Sequence, residues 1–278
     1  TPENDTVSMY SLVTHVSSVP PISYLFTQIR VLVTYLRLLA FPLNQNFLYD
    51  QPVYNSFFDF PVMASFIFLL IVFIFGIYMY VLSRGKPGLR LVAFGVFWFF
   101  LTMSVESSIF PIYIIICEYR LYLPSAGIFI AVLTGIGLLM DKYGKGHLRA
   151  ALFIIFFLVP VVLTSASYKR NNVWMSKIGL WEDVVKKSPN NSLAHYNLGN
   201  SYKEKGMFDE AIKEYQKVLV LNPFYDRIFF SIGTSYLAKA QYEAAMSFLK
   251  REIETDFSNG DAHLNLGYVY MKLDDFEK

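Results

Sequence analysis

From Phe60 to Leu82 the chain carries no charged side chain. A helix of that length crosses the roughly 30 Å hydrocarbon core of a bilayer, and one that is apolar on every face has no side to offer to water. Further apolar stretches run from Leu91 to Cys117, broken by Glu106 and Pro111, from Pro124 to Met140, and from Leu148 to about Ser167 around Pro160. Composition agrees with lipid as the solvent of this part: 54% of the residues are hydrophobic, 17% are charged, and the mean hydropathy is +0.38. Charge is unevenly spread. Residues 1–170 hold 11 of the 24 Lys and Arg and 7 of the 22 Asp and Glu, so charge density jumps near residue 170 and the domain boundary is expected there. Neither part is basic enough for nucleic acid as a partner. A single cysteine, Cys117, excludes an intrachain disulfide and a Cys-based zinc site.

The positive charges assign an orientation. Arg84, Lys86 and Arg90 follow the first span, and Lys142, Lys145 and Arg149 follow the third, so these two loops are expected on the cytoplasmic side. The opposite connections, Asn44 to Asp59 and Cys117 to Leu123, carry between them only Arg120. With about four helices in a bundle over 60–170, residues 1–59 and everything after Ser167 face away from the cytoplasm. Lys169 and Arg170 run against this assignment and are outnumbered. Within 22–43, Arg30 and Arg37 lie seven residues apart on one helical face beside Thr27, Gln28 and Thr34. That pattern predicts an interfacial or re-entrant amphipathic helix; the alternative is a fifth span whose arginines line a polar cavity. Thr1 opens the sequence without a signal-peptide pattern, and the sequence is expected to be part of a longer protein.

Spacing dominates the C-terminal part. Leu198-Gly199, Ile232-Gly233 and Leu266-Gly267 recur every 34 residues, as do Tyr202, Tyr236 and Tyr270, then Ala211 and Ala245, then Pro189 and Pro223. Small residues at fixed positions let paired helices approach, aromatics fill the remaining space, and prolines punctuate the turns. This resembles the tetratricopeptide repeat, whose period is the same. The expected organisation is a degenerate capping half-repeat over 171–191, with a helix from Trp174 to Ser188, then repeats at 192–225 and 226–259. A partial repeat over 260–278 is expected to end after its first helix and the following turn. The fold class is therefore all-α, a polytopic membrane helix bundle followed by an α-solenoid. The resemblance implies a concave face that holds a protein or peptide. On it, Asn197, Asn200, Ser231 and Asn265 resemble an asparagine ladder, whose carboxamides both donate to and accept from a peptide backbone; solvated helix residues are the alternative. His195 and His263, two repeats apart, are assigned to packing between helices.

A second resemblance is carried by Glu118-Tyr119-Arg120-Leu121-Tyr122-Leu123-Pro124-Ser125. Together with the order of elements around it, an arginine-bearing helix, several spans, this motif and then the repeats, it resembles the transmembrane-and-tetratricopeptide-repeat O-mannosyltransferases and their bacterial relatives. Tyr119 and Arg120 stand in the reverse of that family's usual order. The resemblance implies a GT-C-class glycosyltransferase taking a polyprenyl-phosphate-linked sugar. It also implies that the acidic catalytic residues lie in an early outer loop without a counterpart in this sequence, so that these 278 residues are inactive alone. No cofactor is expected within these residues, and a divalent metal is compatible with the complete enzyme.

An arginine fork pairs with phosphate oxygens and keeps its charge when partly desolvated, which makes Arg120 the first candidate for the donor phosphate, followed by Arg30 and Arg37. Glu118 is expected to orient Arg120, to hold an acceptor hydroxyl or simply to pair with Arg120 and tie the loop down. Tyr122 is placed at the interface, and Glu106, costly inside a span, either lines the same cavity or marks a helix end. Two functions follow: the C-terminal part of a membrane glycosyltransferase with extracytoplasmic repeats, facing the periplasm or exterior in bacteria and the endoplasmic reticulum lumen in eukaryotes, or a membrane-anchored repeat scaffold without catalysis.

Overall fold

The structure is a computed structural model describing residues 19–107, 115–143 and 147–276. Every regular element among the described residues is helical. The chain divides into two compact units, Thr1–Lys169 and Arg170–Lys278.

The first unit contains α1 (Pro21–Ala40), α2 (Phe60–Leu82), α3 (Pro87–Glu106), a 3₁₀ turn at Glu118–Leu121 and α4 (Tyr122–Tyr143). It also holds most of α5 (His147–Trp174). Proline opens α1, α2 and α3, where its missing N–H would have had no partner and its fixed φ already suits a helix. Among the described residues four segments are long and apolar enough to cross a membrane: Pro21–Ala40, Phe60–Leu82, Pro87–Val105 and Glu118–Lys142. On α2 the large side chains Ile67, Phe68, Ile71, Ile74 and Tyr78 are exposed, as lipid-facing residues are. Contact between α3 and α4 runs through glycine. A Cβ on Gly95 would stand 2.2 Å from the carbonyl oxygen of Gly127, and one on Gly127 would stand 2.6 Å from that of Gly95. With little hydrophobic force between helices in lipid, close packing of this kind is what holds them.

Several expectations change here. In the helix expected over 22–43 the uncharged polar residues turn inward rather than to an interface: Ser23, Thr27, Gln28 and Thr34 are all buried, while Arg30 is half-buried and Arg37 exposed. Its apolar Val31, Tyr35 and Leu38 pack against Phe99 and Met103 of α3 and against Ile116 and Leu121. Polar groups directed into a bundle need partners there, and they find them. Thr27 Oγ1 accepts from the Tyr54 N–H at 3.0 Å, Gln28 Nε2 donates to the Ile115 carbonyl at 3.1 Å, and Ser107 Oγ donates to Gln28 Oε1 at 3.2 Å. The stretch read as Leu91 to Cys117 is a helix only to Glu106, and Pro111 lies outside the described residues. The span expected over Leu148–Ser167 lies within α5, where the described Ile154, Leu158, Val161 and Val162 are exposed.

The second unit stacks α6 (Lys177–Lys187), α7 (Ser192–Glu204), α8 (Phe208–Leu221), α9 (Ile228–Ala238), α10 (Tyr242–Thr255) and α11 (Gly260–Phe276). Gly199 lies against the ring of Tyr215, where an added Cβ would come within 2.5 Å; Gly233 meets Leu249 at 3.0 Å. Ala211 and Ala245 are fully buried. Asn191 Oδ1 caps α7 on the Ala194 N–H at 3.0 Å, and Asn259, two repeats on, caps α11 on the Ala262 N–H at 3.2 Å. Two boundaries differ from the repeat pattern. Trp174 ends α5 rather than beginning the capping helix, because Ser176 is the N-cap of α6. In the third repeat α11 runs through to Phe276 without the expected turn. The turns after α7 and α9 pass through left-handed backbone at Gly206, φ 76°, and Ala240, φ 55°, whereas the matching Asp274 stays helical.

Candidate functional site

The 3₁₀ turn brings the motif residues onto the first turn of α4, beside the connection between α1 and α2. Glu118 Oε1 accepts from the backbone N–H of Asn46 at 2.8 Å and from the Tyr49 hydroxyl at 2.6 Å. Its second oxygen, Oε2, makes no hydrogen bond among the described residues. Burial and then the bond to Glu118 push the Tyr49 phenol far above its ordinary range. The Arg37 charge acts on Tyr49 in the opposite sense. The Tyr35 hydroxyl accepts from the Cys117 N–H at 2.9 Å, which ties α1 to the start of the motif. Glu118 is therefore tied to the Asn46–Tyr49 segment and not, as the sequence suggested, to Arg120, with which it makes no hydrogen bond or ion pair among the described residues.

Among the sequence candidates, Arg120 is half-buried two residues after Glu118, and Tyr122 is 83% exposed at the head of α4. Arg37 reaches the Leu43 carbonyl at 3.4 Å, in the same connection as Asn46 and Tyr49. Arg30 bonds within its own helix, to Thr34 Oγ1 at 3.3 Å, and the structure does not draw it to Glu118. The side chain of Glu106 lies outside the described residues. Asn46 and Tyr49 were not legible as site residues. Their partner is 69 and more positions away, and only the packing of the connection against the 3₁₀ turn brings them together.

On the repeats, the ladder residues are partly committed. Asn197 Nδ2 donates to the Leu193 carbonyl and Asn265 Nδ2 to the Asp261 carbonyl, each at 2.9 Å and each four residues back. Asn200 Oδ1 accepts from the Tyr215 hydroxyl at 2.6 Å. Ser231 lies 3.3 Å from the Tyr196 hydroxyl. The histidines are hydrogen-bonded rather than merely packed: His195 Nε2 meets the Pro189 carbonyl at 2.9 Å, and His263 Nε2 meets that of Phe257 at 3.0 Å. His195 Nδ1 also meets Glu214 at 2.6 Å. Burial alone pushes Glu214 up, but hydrogen bonds from His195 and Lys217 outweigh it and hold the carboxyl below its usual value. Lys203 is a residue that the repeat pattern did not single out. Its Nζ donates to Thr234 Oγ1 of α9 at 2.6 Å, and burial pulls its ammonium down to about 8. Among the described residues there is no cluster of side chains suited to a metal ion.

A family model described as the tetratricopeptide repeat matches residues 192–225. The chain is 24% identical over 163 residues to the mouse (Mus musculus) protein O-mannosyl-transferase TMTC1, a match covering 58% of this chain and 17% of that protein. It is 26% identical over 109 residues to the human (Homo sapiens) protein O-mannosyl-transferase TMTC1, covering 39% of this chain and 12% of the relative. The matched regions thus span less than a fifth of the length of either relative. Four helices among the described residues that are apolar enough to cross a bilayer, a tetratricopeptide repeat and this similarity together mark the chain as an all-α membrane protein resembling the transmembrane-and-tetratricopeptide-repeat O-mannosyltransferases.

Proposed function

We propose that the chain forms the C-terminal part of a membrane glycosyltransferase using a polyprenyl-phosphate-linked sugar, with its repeats on the extracytoplasmic side holding an acceptor protein. The observation that carries this is Glu118. One carboxylate oxygen is anchored by Asn46 and Tyr49 while the other makes no hydrogen bond among the described residues, in the turn that carries Arg120 and leads into α4. An anchored carboxylate orients a hydroxyl at little entropic cost, and a neighbouring guanidinium pairs with a phosphate. Arg120 takes the donor phosphate, and Glu118 Oε2 takes the acceptor hydroxyl.

In the repeats, Asn197 and Asn265 retain a carboxamide oxygen toward a peptide N–H, and Lys203 adds a cation that favours acidic segments. The test is transfer of mannose from polyprenyl-phosphate-mannose in membranes containing the complete protein. Arg120→Ala is expected to abolish transfer while the protein still folds. Undiminished transfer by that variant removes the phosphate role, and peptide binding without any transfer by the unaltered protein leaves the scaffold reading.

A further inference from the structure

The lipid-facing surface of α2 and α3 has an open groove of about 670 Å³ lined by Tyr80, Arg90, Phe94, Phe97, Trp98 and Leu101. From Arg90 to Leu101 its wall follows α3 for roughly 16 Å at 1.5 Å per residue, close to the depth of one leaflet of a bilayer whose hydrocarbon core is about 30 Å. Aromatic and aliphatic groups form this wall, and they are held in place. The Trp98 indole donates to the Leu123 carbonyl at 2.9 Å, and Phe97 packs edge-on against Phe73 at 5.5 Å between ring centroids. Arg90 closes the groove at its basic end. Its side chain is exposed and makes no hydrogen bond or ion pair among the described residues. Arg84 and Lys86 lie in the adjoining turn, and no acidic residue occurs between Ser83 and Leu101.

An apolar slot one leaflet deep, open to the bilayer and ending at an unpaired guanidinium, matches a lipid with one acyl chain along α3 and a negative headgroup at Arg90. We infer that this groove is a binding site for an anionic phospholipid. Basic positions at the end of a membrane helix attract anionic headgroups, and a zwitterionic lipid would set its own cationic group against Arg84, Lys86 and Arg90. Arg90 lies at the opposite end of α3 from Glu118, and the site stands independently of sugar transfer.

Trp98 reports on occupancy directly. In the chain with Trp174→Phe and Trp181→Phe, Trp98 is the remaining tryptophan of the three. Reconstituted into phosphatidylcholine vesicles, this protein is titrated with phosphatidylserine brominated on its acyl chains, and in parallel with brominated phosphatidylcholine. The brominated anionic lipid is expected to reach half-maximal quenching at a roughly fivefold lower mole fraction, the equivalent of about 1 kcal/mol for one basic contact. Arg90→Gln is expected to remove that preference, and Arg84→Gln to leave most of it. Equal quenching by the two lipids overturns the proposal, as does a preference that survives Arg90→Gln. Loss of the preference as complete in Arg84→Gln as in Arg90→Gln also overturns it, because it reduces the effect to general surface charge. Far-ultraviolet circular dichroism on each variant confirms that the helices are retained.

Discussion

Glu118 is held by one oxygen, and that asymmetry makes its substitutions informative. Glu118→Gln keeps an acceptor for Asn46 and Tyr49 but removes the charge on Oε2, so the fold should survive while transfer by the complete protein falls by roughly a hundredfold. Tyr49→Phe removes a donor to a carboxylate and should cost about 2 kcal/mol, read as a lower unfolding temperature in detergent. Two other carboxylates tie stability to pH. Burial raises Glu214 and Asp183, yet hydrogen bonds from His195 and Lys217 to the first, and from Lys187 and Arg170 to the second, bring both below their ordinary values. A depressed folded value means stabilisation that is complete above the unfolded pKa, about 4, and is lost as pH falls through the folded one. The repeat unit should therefore loosen below about pH 4, seen as faster amide exchange in α6, α7 and α8, and Glu214→Gln should weaken that dependence. Lys203 works in the other direction for ligands. With its ammonium brought down to about 8 by burial, binding of an acidic peptide should weaken as pH rises from 7 to 9, and fluorescence anisotropy measures this.

Between elements, closeness of backbones is the controlling quantity. Gly95 and Gly127 stand so near each other that any side chain at 95 meets a carbonyl of α4. Gly95→Leu should separate α3 from α4 and lower the thermal midpoint in detergent, at a cost of roughly 3 kcal/mol, while Gly135→Ala, where nothing lies within 4 Å of an added Cβ, should be neutral. In the repeats the same logic places Gly199 against Tyr215. The sequence pattern found that glycine by its period. For Gly95 and Gly127 no period exists, and nothing in an apolar run distinguishes a glycine at a crossing from one facing lipid.

For the whole molecule, the distribution of basic residues leads to an orientation that labelling can test. A cysteine at Lys86 in a Cys117→Ser background should be reached by a membrane-impermeant maleimide only after permeabilisation, and one at Phe47 should be reached without it. The opposite pattern would move the repeats to the cytoplasm. The lipid-soluble character of residues 60–143 and the repeat register were legible from the sequence because both are carried by local pattern: unbroken apolarity over one bilayer thickness, and a 34-residue recurrence of small and aromatic side chains. Tertiary structure alone decided that Thr27, Gln28 and Thr34 of α1 turn inward, that Glu118 is anchored by Asn46 and Tyr49, and that Arg90 ends an apolar groove. The physical reason is that a hydrogen bond or a helix crossing joins residues tens of positions apart, and which of many equally apolar faces meet is settled by shape and by the need to pair buried polar groups, neither of which leaves a periodic trace.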